Sequence, residues 1–160
     1  MADSRTVQWI ETVLTEGSLT DIMLTTRFNM SGEIESPNTK FSANLNGATI
    51  SADPKWPSIE NINAKVNFSN DYLKIVGNEA SVEDIDLSYL SITTRDFNQP
   101  DSALSLNARF NSESLIIEDF IKKSSVSEKT KSYLEEFELK GKLWGNVNME
   151  IGRASCRERV

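Results

Sequence analysis

The sequence predicts a mainly β fold: one antiparallel sheet of about seven strands, preceded by an amphipathic helix and interrupted by two short helices near residues 113–136. Three observations predict it. Apolar and polar residues alternate with period two in segment after segment, the mark of strands with one buried face. The links are short and rich in Gly, Ser, Asn and Pro, so consecutive strands pair antiparallel. A helical period appears in only three places, once at the start and twice late in the chain.

Each element follows in order. Ser4 to Glu16 reads as a helix with Ser4 as N-cap, Val7, Ile10, Val13 and Leu14 on one face, and Gly17 as its stop. The period then becomes two. "SLTDIMLTTRFNM" sets Ile22, Leu24, Thr26 and Phe28 on one face, and "SGEIESPN" reads as a loop. "TKFSANLNGATISA" sets Phe41, Ala43 and Leu45 against Ser42, Asn44 and Asn46, and Asn46–Gly47 reads as a tight turn or a bulge. In "INAKVNFSNDYLKIVG", Ile62, Ala64, Val66 and Phe68 form one side of a hairpin that returns through Leu73 and Ile75. "DIDLSYLSITTRDF" offers Ile85, Leu87 and Tyr89, then Leu90 and Ile92 in the opposite phase, which implies cover on both faces or a bulge. "SALSLNARF" presents Leu104, Leu106, Ala108 and Phe110.

"SESLIIEDFIKK" then reads as a helix with a Ser-rich cap and an apolar side of Leu115, Ile116, Phe120 and Ile121. "SEKTKSYLEEF" reads as a second, with Ser127 as cap and Tyr133, Leu134 and Phe137 on its apolar side. The last strand, "ELKGKLWGNVNME", carries Leu139, Leu143, Val147 and Met149, with Gly141 and Gly145 on the same beat. Glycines there point to strong curvature, or to close approach by another backbone or a ligand.

Composition narrows the function. The 160 residues make one domain or a piece of a larger protein, and only 38% are hydrophobic. A formal charge of −7 argues against nucleic acid as a partner, since phosphate binding needs clustered Lys and Arg. No run of about 18 apolar residues is present to span a membrane. "MADSRTVQWIETVL" lacks the pattern of a signal peptide, so for a protein working outside the cytoplasm the export signal is expected outside this sequence.

The final ten residues, "IGRASCRERV", break the acidic style with three arginines. They also translate ATC GGA AGA GCG TCG TGT AGG GAA AGA GTG, which resembles a sequencing-library adapter. Ile151 to Val160 are therefore expected to be read-through, and 1–150 a single natural segment of a longer chain. Without Arg153, Arg157, Arg159 and Glu158 the charge moves from −7 to −9, and the lone Cys156 leaves as well.

The catalytic inventory is poor. With no histidine and a doubtful cysteine, the commonest general base, transition-metal ligand and nucleophile pair are missing. "EDID" (Glu83 to Asp86) lacks the calcium-loop spacing and glycine, and reads as a loop and the wet face of a strand. "GKLWG" lacks the spacing of a phosphate loop, and no G-x-S-x-G elbow occurs. No enzyme activity, catalytic residue, cofactor or metal is expected.

What remains is the apolar face. Seven one-sided strands present more apolar surface than two or three short helices cover. The sheet closes into a barrel, folds over as a sandwich, or curls into a trough that holds apolar ligands. The pattern alone leaves an ordinary sealed core and an open trough both standing.

At "ADPKWPSIENINAKVNFSNDYLKI" the chain resembles the YhdP-like branch of the AsmA and TamB superfamily. The resemblance lies in the order of several features. A helix ends in "EGSLTD", and the strand "FSANLNGATI" leads to Trp56–Pro57. "IENINAKVNFSNDYLKI" follows, and later "LKGKLWGNV". Phe41, Ala43, Trp56, Pro57, Ile62, Ala64, Val66, Phe68 and Leu73 match the family's pattern. Trp56–Pro57 makes sense as a structural corner, because Pro57 holds Trp56 extended and cannot donate a ladder bond.

The resemblance implies an open, curled β-groove lined by the apolar beat. The expected lining is Ile22, Leu24 and Phe28, then Phe41 and Leu45, then Ile62, Val66 and Phe68. Leu73 and Ile75, then Leu104, Leu106 and Phe110, and finally Leu143 and Val147 complete it. It also implies a Gram-negative periplasmic protein anchored in the inner membrane, in which such grooves pass phospholipids toward the outer membrane. The implied partners are phospholipid acyl chains and neighbouring groove segments of the same chain. Membrane contact would come only through parts outside this sequence.

Overall fold

The computed structural model describes residues 14–27, 38–51, 54, 56–69, 72–94, 103–137 and 140–152. Seven strands form one sheet: β1 (Leu14–Arg27), β2 (Asn38–Ile50), β3 (Ile59–Ser69), β4 (Tyr72–Val82), β5 (Ile85–Thr94), β6 (Ala103–Glu113) and β7 (Lys142–Gly152). Two helices, α1 (Ser114–Lys123) and α2 (Glu128–Glu135), stand between β6 and β7. Every strand pairs antiparallel with its neighbour in sequence, in the order β1 to β7, and β1 does not pair with β7. The sheet is therefore an open meander and not a barrel.

The registers place the apolar beat on one face. Phe41 pairs with Phe68, Phe68 with Leu73, and Leu73 with Thr94. Val66 pairs with Ile75, Ile75 with Ile92, Ile92 with Leu106, and Leu106 with Met149. Paired residues share a face, so each chain of pairs is a row running across the strands. The other face carries Asn44, Lys65, Ser91, Asn107 and Asn148 in the same manner.

Burial shows that the sheet curls around its apolar face. A flat single layer leaves such side chains half open, yet Ile62 and Leu90 are 0% exposed. They belong to a cluster with Leu45, Ala48, Leu73, Ile75 and Ile92 that forms the floor of the curl.

A line of irregularities crosses the sheet where it bends. The β1–β2 register slips beside Gly17, the β2–β3 register between Leu45 and Ala48, the β3–β4 register between Glu60 and Ala64, and the β5–β6 register between Leu87 and Tyr89. Bulges add local bend and twist, so a row of them makes a crease. Backbone geometry agrees: Gly17, Gly47 and Asn61 all have positive φ. A Cβ at Gly17 would lie 2.7 Å from the Ala48 Cα, so this site demands glycine for space as well as for φ +114. Asn side chains lace the crease together on the polar face. Asn63 Oδ1 accepts from the Gly47 N–H at 2.9 Å, while Asn63 Nδ2 donates to Glu79 at 2.9 Å. Asn46 donates to Thr20 and Asn61 to Ser81.

Several local expectations change. The helix expected to end at Gly17 does not reach it: β1 already begins at Leu14, which pairs with Ile50. Residues 4–13 of that helix lie outside the described residues. Asn46–Gly47 is a bulge inside β2 and not a hairpin turn. In β5 the phase change is a bulge: with Ser88 taking no place in the β5–β6 register, Ile85, Leu87, Leu90 and Ile92 all reach the apolar face, and Tyr89 turns to the polar one. α1 is capped by Glu113 with no side-chain bond, not by a serine, whereas α2 has the expected Ser127 cap accepting from the Thr130 N–H. Glu83 and Asp84 form the β4–β5 turn, with Asp86 in the strand beyond.

Candidate functional site

The candidate site is the apolar face itself. Its rows continue from strand to strand: Leu24, Phe41, Phe68, Leu73, Thr94 and Leu104 form one, and Leu19, Leu45, Ala64, Gly77, Leu90, Ala108 and Val147 another. Six inter-strand steps of about 4.8 Å carry a row about 29 Å across the sheet. A bilayer's hydrocarbon core is about 30 Å thick and holds two tails end to end, so a row is long enough for two tails in line.

Exposure divides this surface into three zones. The floor under β4 and β5 is packed: Leu73, Ile75, Leu87, Leu90 and Ile92 are buried. The flanks are half-buried, with Phe41, Val66 and Phe68 on one side and Leu104, Leu106 and Phe110 on the other. The margins are open, with Leu24 at 66% and Leu19 at 42% on β1 and Val147 at 38% on β7. The curl explains the gradient, because the flanks lean over the floor and nothing described leans over the margins.

The structure brings most of the expected lining residues onto one face. Leu24, Phe41, Val66, Phe68, Leu104, Leu106, Phe110, Leu143 and Val147 sit on flanks and margins, while Leu45, Ile62, Leu73 and Ile75 are floor. Ile22 does not take its place in a row. The register steps from Thr20↔Asn44 to Met23↔Ser42, so Asp21 and Ile22 together oppose Ala43, and Asp21 has φ 51. That bulge also brings Leu19 onto the apolar face, which simple alternation from Leu24 missed. Phe28 lies outside the described residues. Trp56 and Pro57 stand half-buried in the link between β2 and β3.

Gly145 stands on the apolar beat against a side chain rather than a backbone or a ligand: a Cβ there would lie 3.0 Å from the Phe110 ring. Ile116, Ile117 and Phe120 of α1 pack against the floor cluster from above. Ile117 thus replaces Leu115, which the helical period put on the apolar side and which is 74% exposed. Ile121 turns instead to a cleft shared with Leu134 and Phe137 between the two helices.

Among the described residues the apolar rows hold no charged side chain. The ion pairs Asp119–Lys123 and Glu128–Lys131 are both helical; the first is exposed on both sides, while Lys131 of the second is half-buried. Lys123 is held above its ordinary value, first by its hydrogen bond to Asp119 and then by that carboxylate's charge, with Glu83 and Asp84 adding to it. Among the described residues no group of three or more His, Cys, Asp or Glu is placed to hold a metal, and no helix is long and apolar enough to cross a membrane. The arrangement offers a continuous apolar surface on one side of an open sheet, with a hydrated surface on the other.

No curated protein and no solved structure shows a significant match to this sequence. A family model described as YhdP protein matches residues 2–158. That match spans nearly the whole chain, and the chain belongs to the YhdP family.

Proposed function

We propose that this chain is one segment of a periplasmic groove that carries phospholipid acyl chains between the inner and outer membranes of a Gram-negative envelope. The observation that carries the proposal is the set of apolar rows, which run from β1 to β7 at right angles to the strands. Membership of the YhdP family supports the same reading.

The mechanism needs no chemical step. Tails lie on the half-buried flanks, over the packed floor, while headgroups stay in water. Each CH₂ removed from water contributes about 0.8 kcal/mol, so a tail is held without a dedicated residue. The rows hold no charged side chain, so a tail moves along the apolar face without crossing a charge. Neighbouring segments of the full-length protein continue the surface, and the protein's anchor lies in the inner membrane.

The packed floor favours a second reading, an envelope module with a sealed core and no ligand. The two part on one experiment. A photo-reactive amino acid at Val66 or Leu106 in the full-length protein, activated in cells, captures phospholipid if the groove is a track. Capture only at polar-face positions such as Asn67, or none at all, overturns the transport reading in favour of the sealed module.

A further inference from the structure

α1 covers part of the apolar face assigned above to lipid tails, and it docks there through apolar side chains. Ile116, Ile117 and Phe120 share one side of the helix and pack against the floor cluster. α1 begins where β6 ends, and its last residue, Lys123, feels the charges of Glu83 and Asp84 in the β4–β5 turn. The helix runs from the end of β6 over the floor cluster, and its length is about 15 Å. α2 has no buried residue, so the described packing of the helical pair against the floor cluster comes from α1.

The root of α1 is tied to the residue before β7. The Ser114 N–H donates to the Gly141 carbonyl at 2.8 Å. Gly141 has φ +84, and a Cβ there would meet nothing within 4 Å. At the same root the Ser112 hydroxyl, on the apolar face opposite Leu143, is buried without a hydrogen-bond partner. A buried hydroxyl without a partner is unfavourable.

We propose that α1 is a built-in cover of the groove. Its three apolar side chains cover the floor cluster in place of hydrocarbon, and an arriving acyl chain displaces the helix about its Ser114–Gly141 root. The inference rests on the groove reading and adds regulation to it. Floor side chains cannot be buried by helix and tail at once, so the two compete. By linkage, weakening one strengthens the other.

The test uses the full-length protein and a fluorescent long-chain fatty acid, with amide hydrogen exchange read in parallel. Ile117→Ser and Phe120→Ser each raise fatty-acid affinity by about threefold or more, while Leu115→Ser, at an exposed position, leaves it unchanged. Adding fatty acid to the unaltered protein speeds exchange at residues 116–120 and leaves β4 and β5 protected. Binding with unchanged protection of α1 and unchanged affinity in both variants overturns the cover and leaves the groove standing. No binding by the unaltered protein or by either variant sinks the groove reading, and the cover with it.

Discussion

Gly145 sits directly opposite Phe110 in the β6–β7 ladder, so close that a Cβ on it would lie 3.0 Å from the ring's Cε1 and Cζ. The contact fixes the ring of a half-buried flank residue over the apolar face. Gly77 has a harder version of the same constraint. A Cβ there would lie 2.6 Å from the Asn63 carbonyl oxygen, which is backbone and cannot turn aside.

The two glycines therefore respond differently to alanine. Gly145→Ala destabilises by about 1 kcal/mol, because the Phe110 ring tilts to make room. Gly77→Ala destabilises by about 2–3 kcal/mol, because the strand itself must move. Urea midpoints of the two variants check the order. Equal midpoints would show that the β3–β4 backbone yields as easily as a ring.

Floor and margin residues separate by stability. Ile62→Ala leaves a cavity in the fully buried floor and costs about 3 kcal/mol. Leu24→Ala, at an open margin, costs under about 0.5 kcal/mol. Thermal unfolding of the two variants measures the difference. A large loss at Leu24 would mean that the margin is covered in solution.

The crease depends on Asn63, whose amide holds both the Gly47 N–H and the Glu79 carboxylate. Asn63→Ala removes two exposed hydrogen bonds and costs about 1–2 kcal/mol. Amide exchange at Gly47 rises with it, while exchange at Leu90 follows only the global change. No rise at Gly47 would show that the bulge holds without its staple.

Lys123 titrates above 10.5 because of Asp119, helped by Glu83 and Asp84. A lysine raised in the folded state keeps its attraction at all pH below 10.5 and loses it as pH rises through the folded value. Asp119→Asn lowers the Lys123 midpoint, read from its side-chain NMR shift. Both partners are exposed, so solvent screening leaves the melting temperature within about 1 °C of the parent. A larger fall in melting temperature would show that this pair anchors α1.

Much of the fold is legible in the sequence, because side chains alternate strictly in a strand and the pattern of Phe41, Ala43 and Leu45 needs no partner to be read. The antiparallel order follows from short links for the same local reason. Simple alternation fails where bulges break the count. Ile22 loses its row, Leu19 gains one, and Tyr89 turns to the polar face, because an extra residue flips everything beyond it. Helix faces fail in a related way. Ile117 docks and Leu115 does not, since a short helix with three consecutive apolar residues, Leu115 to Ile117, has no unique apolar side until the sheet presents one.

By itself, then, the sequence determined the mainly β class, the number and order of strands and the existence of one apolar face. Alternation and loop length are local properties, written into neighbouring residues. Only the tertiary structure decided that the sheet stays open, that a crease curls it, and which apolar residues are packed floor and which remain open to a tail. Those outcomes depend on the register between strands far apart in the chain and on where α1 lands, and no local pattern encodes either.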